Sequence, residues 1–366
     1  VPKRILDILL KTGIRPANPG EFTLRAFING KMDLAQAEAV VDIVNAQTED
    51  SLKQAELQLE GALSQKINEL KETVLDILAE VEAQVDFPEE DIDQIVKEEM
   101  IKRTKLVTED LNNLIKSYEE GRIIKHGVYT AIVGKPNVGK SSLLNQLVMK
   151  ERAIVSPYPG TTRDFIEETI VVNGIPLKLV DTAGLRVTAD EVESVGVELT
   201  KKKAQEAEFI IAVIDGSSDL DEDDFEIFDK IRNNKSILVV NKTDISQVVS
   251  EKRLIDFLPN HKIVKTSAKI GTGIEQLKKA IHQKLLDGRT QREGAEVIIS
   301  ELRHKVALQK TKEGIIFFLN SLEKGASPEF LAVDLRYAMD SLGEITGEIT
   351  TEDVLGRIFS KFCIGK

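Results

Sequence analysis

A single cysteine, Cys363, in 366 residues leaves no internal disulfide framework and fits a reducing compartment. No apolar run is long enough to span a bilayer and no signal peptide is recognisable, so a cytoplasmic protein without a membrane is expected. Positive charge is in short supply. With 49 Lys and Arg against 61 Asp and Glu, the formal net charge of −12 disfavours gripping nucleic acid by phosphate neutralisation across the surface, so any RNA role needs a local patch or a basic partner. The four histidines, His126, His261, His282 and His304, show no metal-ligand spacing, and neither repeats nor low-complexity segments occur. Apolar residues are ample: at 42% of a chain this long they can fill packed cores, and two domains are the natural expectation.

The most informative stretch is Gly134-Lys135-Pro136-Asn137-Val138-Gly139-Lys140-Ser141. It follows an apolar strand pattern, Val128 to Val133, and opens into a helical one, Leu143, Leu144 and Leu147. That is the context of a phosphate-binding loop, in which backbone N–H groups turn onto α- and β-phosphates, Lys140 reaches the β/γ oxygens and Ser141 holds Mg²⁺. The following helix directs its positive end at the same anion. Two further motifs each follow a strand pattern: Asn241-Lys242-Thr243-Asp244 after Ser236–Val240, and Ser267-Ala268-Lys269 after Lys262–Thr266. A carboxylate at Asp244 accepts from guanine N1–H and N2–H₂, whereas adenine would leave it unpaired, a discrimination of on the order of 10⁴. Read as structure alone, Asp244 is a helix N-cap and Ser267 a turn residue. Their order and spacing behind the phosphate loop favour guanine. Asp181-Thr182-Ala183-Gly184, at the end of the strand pattern Ile175 to Val180, adds an Asp in reach of Mg²⁺ through water and a glycine N–H for the γ-phosphate. Four motifs together specify a GTPase.

Around them the periodicity changes twice. From Asp33 to about Tyr118 apolar residues recur every three or four positions, as in Ile67, Leu70, Val74, Leu78 and Val81, which predicts long amphipathic helices. Phe87 to Asp91 interrupts them, and Gly121-Arg122 is expected to end the series. Strands then alternate with helices to Gly288, the pattern of a mostly parallel sheet covered on both faces, before helical periodicity resumes through Val306, Leu319, Leu335 and Leu355. The simplest fold is an α/β domain of Ras-like type (124–288) inserted into a helical domain (33–123 and 289–366); two separate helical domains are the alternative. Residues 1–32, with a helical Ile5 to Leu10 and a turn-rich Pro16 to Phe22, resemble neither neighbour and are expected to be the tail of a domain whose beginning is missing, as Val1 in place of Met also suggests.

Pro159-Gly160-Thr161-Thr162-Arg163-Asp164 lies where a GTPase keeps its first switch. With Asn137 in the phosphate loop, it resembles the Era, EngA and MnmE (TrmE) group. One GTPase cassette rather than two, no Gly-x-x-Gly module after it, the terminal Phe362-Cys363-Ile364-Gly365-Lys366, and Pro19 to Thr23 with Arg25-Ala26-Phe27 and Asp33 to Ala39 all match the MnmE family over essentially the whole chain. The resemblance implies a homodimeric, K⁺-stimulated GTPase that works with the FAD-dependent protein MnmG to place a carboxymethylaminomethyl or aminomethyl group on the wobble uridine-34 of tRNA, using a one-carbon unit from a tetrahydrofolate derivative. Contact with tRNA would run largely through MnmG. A GTP-driven assembly switch of the Era or EngA type is the rival, and the terminal Cys-Ile-Gly-Lys discriminates, since such a switch has no evident use for it.

The resemblance also distributes roles. GTP would be held by Asn137, Val138, Gly139, Lys140, Ser141 and Ser142, by Ser156, Thr161 and Thr162, by Asp181, Thr182, Ala183 and Gly184, and by Asn241, Lys242, Asp244, Ser267, Ala268 and Lys269. Mg²⁺ would meet Ser141 and Thr162; K⁺ would meet Asn137 with oxygens of Ser156, Tyr158 and Thr161. Leu185 stands where many small GTPases keep a water-orienting Gln, and the family points instead to Glu193, which from sequence alone is equally an ordinary first-turn carboxylate. Arg163 and Arg186 are rival sources of charge, salt-bridged switch arginines being the commoner outcome. Lys31 and Lys366 would contact the folate, with Cys363 near the modification chemistry. Cys363 is alternatively a small packed residue beside Phe359 and Phe362; Gly365, Lys366 and the absence of a polybasic stretch speak against a prenylation box.

Overall fold

The computed structural model describes residues 2–86, 94–148, 168–180, 207–286 and 297–362. Six helices come first: α1 (Pro2–Lys11), α2 (Glu21–Ile28), α3 (Leu34–Asn45), α4 (Glu49–Leu59), α5 (Ala62–Asp86) and α6 (Gln94–His126). The α/β region follows as β1 (Val128–Val133), α7 (Lys140–Val148), β2 (Glu168–Val172), β3 (Ile175–Leu179), β4 (Phe209–Asp215), α8 (Glu222–Arg232), β5 (Ser236–Asn241), α9 (Glu251–Phe257), β6 (Lys262–Lys265) and α10 (Ile274–Leu285). Helices α11 (Leu302–Glu323), α12 (Pro328–Thr346) and α13 (Glu352–Phe359) end the chain. It divides into two compact units, one of residues 1–46, 51–122 and 295–366, the other of 47–50 and 123–294.

In the helical unit the two halves of the sequence share one core. Ile67, Val74 and Leu111 from before the α/β region cluster with Leu308, Phe318 and Leu335 from after it, all fully buried. The three- and four-residue spacing thus marks one bundle, which resolves the alternative of two small helical domains. Helix α3 starts on a capping box, with Asp33 accepting from the Gln36 backbone N–H at 2.8 Å and Gln36 returning an acceptor to Asp33 N–H at 3.0 Å. Gly121-Arg122 does not end the helical series: α6 continues through it to His126. The glycine serves packing instead, because a Cβ at 121 would collide with the carbonyl of Ile299.

A buried ionic cluster joins these halves. Arg303 grips both oxygens of Glu38, at 2.6 and 2.7 Å, and donates to the carbonyls of Glu344 and Ile345, tying α3 to the start of α11 and the end of α12. His304, fully buried, places Nε2 3.1 Å from Glu38 Oε2 without hydrogen-bond alignment. Burial opposes ionisation of Glu38, but the Arg303 guanidinium on both its oxygens outweighs it and holds the carboxyl well below the usual range; burial pushes His304 down, so Arg303 carries the charge at neutral pH.

In the α/β unit the sheet runs β2-β3-β1-β4-β5-β6, with β2 antiparallel to β3 and the other pairs parallel. β5 is buried throughout and β4 up to its last residue, as central strands covered on both faces require. Leu143, Leu147, Leu277 and Ile281 cover one face over Phe209, Ile211 and Val213; Phe228 and Ile231 cover the other over Ile210 and Ala212.

Both groups of the Glu38 cluster give stability the same sign. The unfolded chain takes up the His304 proton below about pH 6.5 and the Glu38 proton below about 4.3, while the folded chain resists both, so helical-unit stability should fall as pH drops through that range. Glu38→Gln should strand the Arg303 charge and cost about 3 kcal/mol, read as a lowered helical-unit transition by calorimetry at pH 7. An unshifted transition would show that the cluster adds nothing.

Candidate nucleotide site

The phosphate loop joins β1 to α7 at the carboxyl ends of the parallel strands, where ligands bind in open α/β sheets. Buried Leu143, Leu144 and Leu147 anchor α7 and so fix the direction of its N-terminus, where Ser141 and Ser142 lie exposed. Asn137 has a left-handed φ of 62° and Gly139 a φ of 100°, so the loop turns sharply twice within three residues. Lys140 Nζ donates to the carbonyls of Gly134 and Lys135 at 2.8 and 2.7 Å, and burial lowers its pKa. An anion beside that ammonium would offset the desolvation and favour the charged form.

Asn241 joins this loop to the rest. At the end of β5 and 2% exposed, its Nδ2 donates to the Val138 carbonyl at 2.8 Å, while Oδ1 accepts from Ala268 N–H at 2.9 Å and Thr266 Oγ1 at 3.2 Å. A Cβ on Gly139 would strike this same amide, which explains the glycine. Thr243 N–H donates to the Thr266 carbonyl at 3.1 Å, and Ser267 Oγ donates to Asp244 Oδ1 at 2.6 Å, lowering the Asp244 pKa. No helix starts at Asp244; α9 begins at Glu251, so the carboxylate is not an N-cap. Held ionised, it presents only acceptors, the complement of a base edge made of donors.

Asn137, Val138, Gly139, Lys140, Ser141, Ser142, Asn241, Lys242, Asp244, Ser267, Ala268 and Lys269 thus belong to three neighbouring loops of one unit. Ser156, Tyr158, Thr161, Thr162, Asp181, Thr182, Ala183, Gly184, Glu193, Cys363 and Lys366 lie outside the described residues. Lys31 is exposed just after α2. The chain's last described residue comes close to that segment: Phe359 and Phe362, each 5% exposed, cluster with Leu34 and Ala37, against which Leu24, Phe27 and Met32 pack.

Comparison with known proteins decides the family. The family model described as MnmE helical domain matches residues 34–363, and that described as GTP-binding protein TrmE N-terminus matches residues 1–31. The tRNA modification GTPase MnmE of Aquifex aeolicus is 49% identical over 365 residues, covering all of this chain and 80% of its own length. The chain belongs to the MnmE family. MnmE proteins so named from Thermoanaerobacter sp. and Clostridioides difficile are each 44% identical, over 366 and 364 residues, and this chain spans 79% of either. Among solved structures, the G domain of the T. maritima FeoB iron transporter aligns with 43% of this chain and 98% of its own at 24% identity and a TM-score of 0.33. This MnmE-family chain is therefore a GTP hydrolase of the tRNA modification class, built as a helical domain interrupted by an α/β domain with a mostly parallel six-stranded sheet. Among the described residues no helix is long and apolar enough to cross a membrane, and no cluster of His, Cys, Asp and Glu could hold a metal ion.

Sequence reasoning missed Asp215, Lys135, Asp221 and Asp224. Lys242 Nζ pairs with Asp215 at 2.6 Å, and Lys135 Nζ with Asp221 and Asp224 at 2.7 Å each. The signal available was Asp215-Gly216-Ser217-Ser218 closing the apolar run Phe209 to Ile214.

Asp244→Asn, which puts a donor where the carboxylate only accepted, should weaken GTP binding and shift preference toward xanthine nucleotides. Calorimetric titration with GTP and XTP checks this, and unchanged GTP affinity would refute the assignment.

Proposed function

We propose that the chain is the GTP-hydrolysing member of a two-protein system that acts with the FAD protein MnmG on the wobble uridine-34 of tRNA. The observation that carries it is the full-length similarity to proteins named tRNA modification GTPase MnmE, set beside the Asn241-centred joining of phosphate and guanine loops. GTP hydrolysis takes place in the 124–288 domain, and residues 289–366 complete the helical domain begun at 33–123. Residues 1–32 belong to a folate-binding and dimerisation domain. The site is cytoplasmic, with tRNA reached largely through MnmG.

Lys140 and the α7 N-terminus hold the phosphates, Ser141 and Thr162 hold Mg²⁺, and Asp244 reads the base. The donor set fits Mg²⁺ because the Ser141 and Thr162 hydroxyls are hard oxygen ligands, and Ser141 opens α7 beside Lys140. Asn137 offers a carboxamide oxygen on an exposed, left-handed turn, chemistry suited to K⁺ with oxygens of Ser156, Tyr158 and Thr161. K⁺ there would supply the positive charge that an arginine finger supplies elsewhere. Glu193 orients the attacking water, with Thr162 and Gly184 donating backbone N–H groups to the γ-phosphate. G domains of two copies pair during the cycle. Phe362 clusters with Leu34 and Ala37, against which Phe27 and Met32 pack, and this supports a folate site in which Lys366 and Lys31 approach one anion, with Cys363 beside the chemistry.

GTPase rates in KCl should exceed those in NaCl at equal ionic strength by tenfold or more, about 1.4 kcal/mol of barrier. Cells lacking the protein should lose the wobble-uridine modification by nucleoside mass analysis, and Glu193→Ala should not restore it. Equal rates in both salts would remove the ion, and an intact nucleoside would overturn the function.

A further inference from the structure

One segment outside the nucleotide motifs grips two of them. Asp215, the last residue of β4, lies in register opposite Asn241 of β5. The next residue locks the two strand ends together: Gly216 N–H donates to the Asn241 carbonyl at 2.9 Å, and the Gly216 carbonyl accepts from Val248 N–H at 2.9 Å. Asp215 therefore has little freedom, and its two oxygens are divided between two tasks. Oδ1 accepts from the backbone N–H and the hydroxyl of Ser217, at 2.9 and 2.6 Å. Oδ2 takes the ammonium of Lys242 at 2.6 Å. Burial opposes ionisation of Asp215, but Lys242 and the Ser217 donors outweigh it and keep the carboxyl below its usual range.

Lys242 is the unusual member of the guanine motif. It has a left-handed φ of 62°, which a lysine adopts only when its surroundings impose it. Its side chain is 31% exposed and that of Asp215 only 15%, so the charge is turned inward toward the strand end. What remains to face a ligand between Asn241 and Asp244 is four methylenes. A free lysine side chain carries about 2 kcal/mol of rotamer entropy, which a ligand resting on the stem would otherwise have to remove on binding. Fixing the ammonium beforehand removes much of that cost.

We propose that Asp215 is a positioning residue for purine binding: by holding the Lys242 ammonium it presents the lysine to the base as a pre-ordered apolar stem. The assignment rests on the proposed guanine site. It makes Lys242 a source of affinity for any purine and leaves base choice to Asp244. The far end of the same segment does the parallel task for the phosphate loop, where Asp221 and Asp224 hold Lys135 at the α8 N-terminus.

The test is a double-mutant cycle on the full chain, read by titration with fluorescent GDP and IDP and by GTP turnover. Asp215→Asn keeps the shape and both Ser217 contacts' partner atom but releases the lysine. Its Kd for GDP should rise about tenfold, with an equal rise for IDP, and the loss should appear in KM for GTP rather than kcat. In a Lys242→Met background, where no ammonium needs holding, the Asp215→Asn penalty should vanish. A merely structural pair would lower the melting temperature while leaving the Kd of the folded protein where it was, and that result overturns the proposal. So does a penalty that persists at full size beside Lys242→Met. If Asp215→Asn does not fold, Ser217→Ala loosens the same carboxylate, and its smaller rise in Kd must likewise disappear in the Lys242→Met background; if it persists, the proposal fails. Failure of the guanine site itself is distinguishable, because then Asp244→Asn would leave the GDP to IDP ratio unchanged, whereas failure of the positioning role alone would not.

Discussion

The carboxamide of Asn241 is the interaction on which the nucleotide site depends. It is nearly fully buried and spends a donor on the phosphate loop and an acceptor on the loop after β6. Three loops that are separate in sequence thereby become one surface. A donor and an acceptor are both required, so aspartate, which only accepts, and leucine, which does neither, cannot substitute. Removing the amide would leave the Val138 carbonyl and the Ala268 N–H without this partner inside the protein, a larger penalty than the net value of either bond. The glycine at 139 and the lysine at 242 make sense around it. Gly139 gives the amide room, and the left-handed turn at Lys242 carries the chain away from Asn241 so that Asp244 can meet Ser267.

The helical unit solves a different problem, that of closing one core from two stretches of chain far apart in sequence. Apolar packing supplies most of the stabilisation but is tolerant of register. The Glu38, Arg303 and His304 cluster is not tolerant, because a buried carboxylate displaced from its guanidinium is left charged and unpaired. Its place is where the chain resumes the bundle at the start of α11. The same unit brings α13 against the α2 to α3 segment through apolar contacts of Phe359 and Phe362.

Local features were legible in the sequence wherever the chemistry is carried by neighbours in the chain. The strand, loop and helix around Gly134 to Ser141, the strand patterns before Asn241 and Ser267, and the helical period of α5 all have the form that their residues predict. Gly121 misled because glycine's usual role as a breaker competes with its use where another backbone must approach, and only the fold places Ile299 there. Asp215 was missed for a related reason: an acidic residue at a strand end is ordinary in sequence, and its value comes from Lys242, 27 positions away. The unity of the helical core was likewise undecided, since periodicity shows that a helix has an apolar face and not what covers it. The roles proposed for the switch residues and the terminal Cys-Ile-Gly-Lys rest on family resemblance alone.

One buried amide makes the phosphate and guanine loops a single site. The Asn241→Asp variant isolates its donor, being isosteric while replacing the donor to Val138 by an acceptor. Calorimetric titration with GDP should show affinity reduced at least about a hundredfold, with melting of the nucleotide-free protein lowered by no more than one lost hydrogen bond implies, about 1–3 kcal/mol. GDP affinity equal to that of the wild type would contradict the claim.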